Sequence, residues 1–411
     1  MSFATSLLCR ECGNETELAP VNACDFCFGP MEVTYDYAAL RGRVTRERIE
    51  GGPKSIWRYI DLLPVDGEFV VDLGVGFTPL VRADNLARRL GMRELWIKND
   101  THNPTWSFKD RVVAVASSRA RQFEFDTLAC ASTGNLANSV AAHAARAGLR
   151  AVVFIPHDLE VGKIVGSAVY RPTIIAVDGS YDDVNRLCSE LADNRWWAFV
   201  NINVRPYYAE GSRTLGFEVV EQLGWRAPEQ CLVPMASGAL FVKIHKGISE
   251  LAQLGLIEET PVKMIGAQAA GCSPISTAWA AGTTNIRPVK PATIAKSLAI
   301  GNPADGFYAL KTMEQTGGAG VTATDAEIVE AIGLLAECEG IFAETAGGVT
   351  IAGLRNALDQ ELLDPERSTV AFITGGGLKT VEAVEGALAP PIAVDASVSS
   401  FEDAYAAAGA R

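Results

Sequence analysis

The 411-residue sequence lacks long hydrophobic runs, an excess of positive charge and a leader-like N-terminus. No stretch approaches the roughly 20 apolar residues that a membrane-spanning helix needs. The first ten residues, MSFATSLLCR, have too short an apolar run and no basic lead-in for a signal peptide. A net charge of −13 argues against nucleic acid, whose binding depends on Lys and Arg contacts to phosphate. We therefore expect a cytoplasmic protein that binds neither membrane nor nucleic acid.

Histidine is scarce, and the four histidines are isolated from one another and from the cysteines. Cysteine is more abundant but unevenly placed. Five of the nine cysteines are scattered singly, which in a chain without an export signal is typical of reduced, packed thiols. None of these five has the neighbouring histidine and acid that a nucleophilic cysteine needs.

The other four cysteines form two pairs, Cys9-x2-Cys12 and Cys24-x2-Cys27, separated by eleven residues. Two thiolate pairs at this spacing are typical of a tetrahedral zinc site in a ribbon-like knuckle. A reduced or degenerate knuckle without metal is the alternative. Because a four-thiolate site leaves no open coordination position, we expect a structural zinc rather than a catalytic one.

Short apolar, β-branched runs alternate with helical segments from residue 127 onward, which indicates βαβ units and a parallel sheet. A second alternating set follows after residue 230, so the sequence predicts an α/β fold with two lobes around a cleft. The predicted strands are centred on Leu95–Lys98, Thr127–Ala131, Ala151–Ile155, Thr173–Val177, Trp197–Val200, Cys231–Pro234, Met264–Ala267 and Val370–Ile373.

One lysine stands out within the run Asn103-Pro104-Thr105-Trp106-Ser107-Phe108-Lys109-Asp110-Arg111. The Asn-Pro-Thr segment predicts a turn, and Ser107 is a candidate N-cap for a helix that continues through Arg111. Lys109 would then lie in the first turn of a helix beside an aromatic ring, a location suited to an amine nucleophile. A solvated lysine paired with Asp110 is the alternative.

This run resembles the cofactor-lysine motif of the threonine synthase family, whose members are fold type II enzymes that use pyridoxal 5′-phosphate, related to the tryptophan synthase β subunit. The similarity extends from about Cys9 to about Lys379. It implies two lobes with parallel twisted sheets flanked by helices, plus a small four-cysteine module, and a homodimer. The implied domains are a zinc-ribbon-like module at 1–37, a large cofactor-binding domain at 38–115 and 206–390, a small domain at 116–205, and a tail at 391–411.

The resemblance also implies roles for four segments that each follow a predicted strand. Lys109 would hold the cofactor covalently, Asn135 would contact its ring hydroxyl, and Thr374 in Thr-Gly-Gly-Gly-Leu-Lys would meet its pyridine nitrogen. The segment Ala236-Ser237-Gly238-Ala239-Leu240 resembles the family's phosphate loop, where small residues let backbone N–H groups approach an anion. Ser132, Thr133 and Gly134 precede Asn135 and would receive the substrate carboxylate.

The segment that begins at Asn201 resembles the family's substrate-phosphate segment. Asn203 and Arg205 are its candidate phosphate ligands, because Tyr208 stands where many members have arginine; an ordinary surface ion pair is the alternative for Arg205. Three further departures are Leu136 for a common Thr, Thr345 for Pro in the segment Gly-Ile-Phe-Ala-Glu-Thr-Ala, and Thr380 for a common Asp.

Taken together, the resemblance implies conversion of O-phospho-L-homoserine and water to L-threonine and phosphate, with a small phosphorylated amino acid as substrate. Two other hypotheses remain. One keeps the cofactor and changes the reaction, as in β-replacement on O-phosphoserine or dehydration of threonine or serine. The other is a non-catalytic, zinc-dependent partner-binding protein on an enzyme scaffold; the joint presence of Lys109, Asn135 and Thr374 argues against it.

Overall fold

The structure is a computed structural model, and it describes residues 2–157, 161–179 and 181–408. The strands are β1 (Ala4–Cys9), β2 (Glu15–Thr16), β3 (Met31–Tyr35), β4 (Leu80–Arg82), β5 (Leu95–Asn99), β6 (Thr127–Ala131), β7 (Arg150–Pro156), β8 (Thr173–Val177), β9 (Ala198–Phe199), β10 (Gln230–Pro234), β11 (Lys263–Ala269), β12 (Ala319–Ala323) and β13 (Thr369–Ile373). The α-helices are α1 (Tyr37–Leu40), α2 (Arg46–Glu50), α3 (Asp84–Leu90), α4 (Lys109–Gln122), α5 (Asn135–Ala147), α6 (Val161–Ala168), α7 (Tyr181–Asn194), α8 (Arg205–Glu210), α9 (Arg213–Gln222), α10 (Ala239–Gln253), α11 (Pro274–Ala280), α12 (Gly306–Thr316), α13 (Asp325–Glu339), α14 (Thr345–Asp359), α15 (Glu382–Glu385) and α16 (Val398–Ala407).

Two sheets carry the predicted lobes. The larger has the order β12-β11-β10-β13-β5-β4 and is parallel except for the edge strand β4, which runs antiparallel to β5. The smaller has the order β8-β7-β6-β9 and is parallel throughout. Every residue of β6, β10 and β13 is buried, as expected for parallel strands covered by helices on both faces. The predicted α/β fold is confirmed.

Three antiparallel strands in the order β2-β1-β3 form the N-terminal module. A buried polar cluster attaches this module to the larger lobe. The hydroxyl of Tyr35 on β3 donates to Glu210 on α8 at 2.7 Å and accepts from Arg213 on α9 at 2.6 Å. Lys243 on α10 bridges Glu210 at 2.6 Å and Glu32 on β3 at 2.5 Å. The module is therefore tied to the same helices that reach the candidate site.

The predicted domain boundaries stay a prediction, although strands of each sheet fall inside the corresponding predicted ranges. Helix α4 continues past residue 115, where the boundary between the large and small domains was expected. In the predicted tail, α16 forms a helix with no buried residue. Every helix within the described ranges is too short or too polar to cross a lipid bilayer.

Candidate active site

The loop that carries the predicted cofactor lysine is hydrogen-bonded to the segment that follows β13. Lys109 is the first residue of α4, and the helix N-cap is Phe108 rather than Ser107. The prediction that Ser107 caps this helix is wrong: its hydroxyl is buried and has no hydrogen-bond partner among the described residues. The backbone N–H of Phe108 instead donates to the carbonyl of Thr374 at 2.9 Å. Lys109 therefore lies beside the glycine-rich loop that follows β13.

Asp110 shapes the turn before the lysine and does not pair with its neighbour Arg111. Its carboxylate accepts from the backbone N–H of Thr105 at 2.6 Å and from the hydroxyl of Thr105 at 2.7 Å. It also accepts from the hydroxyl of Ser139 on α5 at 2.7 Å. Because these bonds fix the Asn-Pro-Thr turn, the predicted alternative of a solvated Lys109–Asp110 pair is not what the structure contains.

The side-chain amine of Lys109 lies between two aromatic residues. Its Nζ donates to the hydroxyl of Tyr208 on α8 at 3.1 Å. The same Nζ lies 4.6 Å from the centre of the Phe108 ring. Tyr208, which stands where many relatives have arginine, thus contacts the lysine itself. The sequence signalled the departure at this position but not the contact.

Glu344 and Lys379 are two charged residues of the site for which the sequence alone predicts no role. Asn135 Nδ2 lies 2.9 and 3.1 Å from the two carboxylate oxygens of Glu344. Burial raises the pKa of Glu344, against the opposing influence of Asn135, Lys379 and Lys109. Burial lowers the pKa of Lys379, whose Nζ has no hydrogen-bond partner among the described residues. Their signal in the sequence was the presence of charge inside otherwise apolar or glycine-rich segments.

The carboxylate of Glu344 occupies the space next to Gly375 that a side chain would fill. A Cβ built at Gly375 would overlap Oε1 of Glu344, closer than real contacts allow. The backbone N–H of Glu344 donates to the carbonyl of the same glycine at 2.9 Å. Glycine is therefore required here by close approach, which accounts for one position of the predicted glycine run.

The predicted phosphate loop, Ala236 to Leu240, joins β10 to the 15-residue helix α10. Gly238 is the N-cap of α10 and has φ 97°, a conformation that side chains rarely adopt. A Cβ at Gly238 would also lie 2.9 Å from the carbonyl oxygen of Asp305. The loop thus brings backbone N–H groups and a long helix N-terminus together without obstructing side chains, which suits a phosphate.

Ser132, Thr133 and Gly134 link β6 to α5, as predicted, and Gly134 is the helix N-cap. The hydroxyl of Ser132 accepts from the N–H of Gly134 at 3.3 Å. Thr374 follows β13 directly and is buried. The lysine, Asn135, Thr374 and the two helix N-termini supply an amine, an amide, a hydroxyl and anion-binding backbone. This donor set fits a cofactor that carries an aldehyde, a ring and a phosphate.

The two predicted substrate-phosphate residues have different surroundings. Asn203 uses its side-chain amide within its own loop, accepting from the N–H of Phe199 and donating to the carbonyl of Trp197, both at 2.9 Å. Arg205 begins α8 and pairs with Asp305 at 2.5 Å, with about a third of its side chain exposed. Asp305 connects Arg205 to the predicted phosphate loop, because its N–H donates to the carbonyl of Ser237 at 3.0 Å. Asp305 had no signal in the sequence.

The four N-terminal cysteines converge, with their Sγ atoms all within 4.8 Å of one another. The Sγ atoms of Cys9 and Cys27 are 3.4 Å apart, and those of Cys12 and Cys24 are 3.7 Å apart. Four thiolates at about 2.3 Å from a zinc ion would be separated by roughly 3.8 Å in a tetrahedron. Backbone N–H groups of Cys27 and Phe26 lower the pKa of Cys24 to about 6. The geometry fits a closed four-thiolate metal site.

Comparison with protein families adds independent information. Residues 71–375 match the family model described as "Pyridoxal-phosphate dependent enzyme". The chain is 37% identical to a threonine synthase of Methanocaldococcus jannaschii, over 95% of this chain and 97% of that protein. It is 34% identical to a threonine synthase of Methanosarcina acetivorans, over 97% and 98%. For a threonine synthase of Mycobacterium tuberculosis the identity is 38%, over 80% and 89%.

Solved structures agree with this fold. A processed form of threonine deaminase isoform 2 from Solanum lycopersicum superimposes with a TM-score of 0.64 at 20% identity, covering 87% of this chain and 90% of that one. Maize serine racemase gives a TM-score of 0.62 at 19% identity, covering 75% and 91%. At these identities the likeness shows the shared architecture and no particular reaction.

Proposed function

Because this chain belongs to the pyridoxal-phosphate dependent enzyme family, we propose that it has threonine synthase activity on O-phospho-L-homoserine. Threonine synthases that match nearly the whole chain support this activity. The observation that carries the proposal is the environment of Lys109, whose Nζ is held by Tyr208 beside the loop that contains Thr374. The substrate and water would give L-threonine and inorganic phosphate.

The cofactor would be held by Lys109, Asn135, Thr374 and the loop from Ala236 to Leu240. When bound, pyridoxal phosphate supplies an electron sink for negative charge that develops beside the substrate's amino group. Lys109, released by the substrate amine, would carry protons at Cα and Cβ. Tyr208 would orient Nζ for both transfers, since a proton carrier must lie within hydrogen-bond reach of its target.

The substrate would be bound at both ends. The N-terminus of α5, with Ser132, Thr133 and Gly134, offers backbone N–H groups to the α-carboxylate. Arg205 would meet the phosphate as a planar, permanently charged donor. Asn203 would act indirectly, because its amide holds the loop from which α8 starts.

A substrate panel tests the activity. Purified protein with cofactor should release phosphate from O-phospho-L-homoserine and form threonine, and Lys109→Ala should abolish both products. Borohydride reduction followed by peptide mapping should place the cofactor on Lys109. Comparable turnover by Lys109→Ala would refute the proposal.

The same panel separates the other hypotheses. The family departures at Leu136 and Tyr208 favour testing a second reaction. Preferential turnover of O-phosphoserine with an added nucleophile, or of threonine or serine to an oxo acid, would identify a replacement enzyme or a dehydratase. A purified protein that contains zinc but remains colourless with added cofactor would instead indicate a partner-binding role.

We further propose that Cys9, Cys12, Cys24 and Cys27 bind a structural zinc ion and that the protein is a homodimer. Metal analysis should find about one zinc per chain, because the four thiolates suit a single closed site. Cys12→Ser should lose that metal. Light scattering of the purified protein measures its molar mass in solution, and the mass of a monomer would contradict the proposed dimer.

A further inference from the structure

The knuckle between Cys9 and Cys12 carries two side chains that leave the N-terminal module and contact helix α12. The guanidinium of Arg10 lies 3.3 Å from the centre of the Tyr308 ring. Glu11 accepts a hydrogen bond from the hydroxyl of the same tyrosine. Arg10 also lies 3.7 Å from one carboxylate oxygen of Asp305, the N-cap of α12. The module thus reaches the turn that begins this helix.

Asp305 connects that turn to the proposed active site. Its second carboxylate oxygen accepts from Arg205 at 2.5 Å. Its backbone N–H donates to the carbonyl of Ser237 in the proposed phosphate loop. Arg10 and Asp305 are largely buried, with 17% and 11% of their side chains exposed. One carboxylate is therefore shared by an arginine of the module and the arginine proposed to bind substrate.

Arg10 adds positive charge to a junction that also contains acids. Arg205 paired with Asp305 alone would be neutralised, and Arg10 lies on the other oxygen of the same carboxylate. Because Glu11 and Glu32 also lie near Arg10, the effect of Arg10 on a bound anion comes through its contact with Asp305 and not through a net charge of the junction. A partly buried guanidinium is weakly screened by salt, so its charge acts at close range.

We propose that Arg10 is a positioning residue for recognition of the substrate's phosphate. Arg10 packs on the Tyr308 ring and holds Asp305 through an ion pair, so that Arg205 keeps its orientation. The N-terminal module then contributes to substrate affinity and is more than an attached metal knuckle. This inference rests on the proposed function, because the ligand it names is the phosphate ester of an amino acid.

Arg10→Gln tests the role in the cofactor-loaded protein. The expected result is a KM for O-phospho-L-homoserine about tenfold higher, with kcat within about twofold, since one charged contact acts on binding. The inhibition constant of inorganic phosphate should rise in parallel. Arg10→Lys keeps the charge and should restore most of the affinity. The matched control is Arg41→Gln, an exposed arginine that donates to the carbonyl of Gln253.

A double-mutant cycle asks whether Arg10 acts through Arg205. In the Arg205→Gln background, Arg10→Gln should raise KM much less than in the wild type, because the residue it positions is gone. Additive effects, an unchanged phosphate inhibition constant, or loss of kcat without a change in KM would each overturn the inference. If the wild type does not use O-phospho-L-homoserine, the proposed function fails, and calorimetric binding of inorganic phosphate to wild type and Arg10→Gln still decides the role of Arg10.

Discussion

The side-chain amide of Asn135 donates to both carboxylate oxygens of Glu344, at 2.9 and 3.1 Å. Asn135 begins α5 beside the smaller sheet, and Glu344 is the N-cap of α14 beside the larger sheet. The pair therefore joins the two lobes where the proposed cofactor would bind. Binding a ring hydroxyl, as the resemblance implies for Asn135, would require this amide to give up at least part of its contact with Glu344.

Glu344→Gln should stabilise the cofactor-free protein at neutral and alkaline pH. Burial raises the pKa of Glu344 above its unfolded value, so ionisation of the folded protein costs stability. That cost is absent below the unfolded pKa of about 4.3. This cost in stability grows as the pH rises through the pKa that Glu344 has in the folded protein. The variant should therefore have a higher Tm than wild type at pH 8, and the difference should disappear near pH 4.

The exposed Glu337 provides the control for this experiment. Glu337→Gln removes the same charge from the surface and should leave the pH dependence of Tm close to that of wild type. If Glu344→Gln were less stable than wild type at pH 8, the burial penalty at this carboxylate would be contradicted. Thermal melts followed by circular dichroism between pH 4 and 8 make the measurement.

Tyr208→Phe should lower turnover by about 10- to 100-fold, because a hydrogen bond to a charged group is worth roughly 1.5–3 kcal/mol. The variant keeps the ring and removes the hydroxyl that accepts from Lys109. The neighbouring Tyr207 is a matched control, since its hydroxyl donates to the carbonyl of Ala19 in the N-terminal module. Tyr207→Phe should change Tm but not kcat. Equal kcat values for wild type and Tyr208→Phe would remove Tyr208 from the mechanism.

Much of the fold was predictable because its signals are local. The runs Thr127–Ala131 and Val370–Ile373 are short and mostly apolar, the second is rich in β-branched and aromatic residues, and both form buried strands. The sequence predicts the N-terminus of α4 less accurately. Ser107 is a good capping residue by type, but the chain instead pairs with the loop after β13 there, so long-range contacts override the local preference.

The partners of the site residues were less predictable because they are distant in sequence. Asp110 and Arg111 are adjacent and of opposite charge, yet they do not pair. Arg111 forms two hydrogen bonds to Asp100, eleven residues before it, and two to Glu218, more than a hundred residues after it. Composition and spacing contain no information on which of many carboxylates will meet one arginine in three dimensions.

Arg111→Met should destabilise the protein by about 3–5 kcal/mol, because it leaves the buried carboxylate of Asp100 without its cationic partner and Glu218 with Lys98 alone. Arg111, Asp100 and Glu218 have side-chain exposures of 0%, 1% and 0%. Urea unfolding measures the change. Arg82→Met is the comparison, since Arg82 pairs with Asp84 at the surface and its loss should cost less than about 1 kcal/mol. A similarly small effect at Arg111 would contradict the role given to this network.

Thr345 and Thr380 depart from the family pattern at two positions that contact each other. The family commonly has proline and aspartate there, and in this chain the N–H of Thr345 donates to the hydroxyl of Thr380 at 3.3 Å. Proline has no N–H to satisfy and is favoured at the first helical position. Thr345 begins α14, and Glu344 before it is extended, with φ −67° and ψ 173°, as a residue preceding proline must be.

The two departures should therefore be energetically coupled. Thr380→Ala should cost about 1 kcal/mol in the wild type, because it leaves an N–H of the helix without an acceptor. In the Thr345→Pro background the same change should cost almost nothing, since that N–H no longer exists. Thr345→Ala retains the N–H and serves as the control, in which Thr380→Ala should again cost about 1 kcal/mol. Urea unfolding of the six proteins measures the coupling, and equal costs in all three backgrounds would show that the second departure does not compensate for the first.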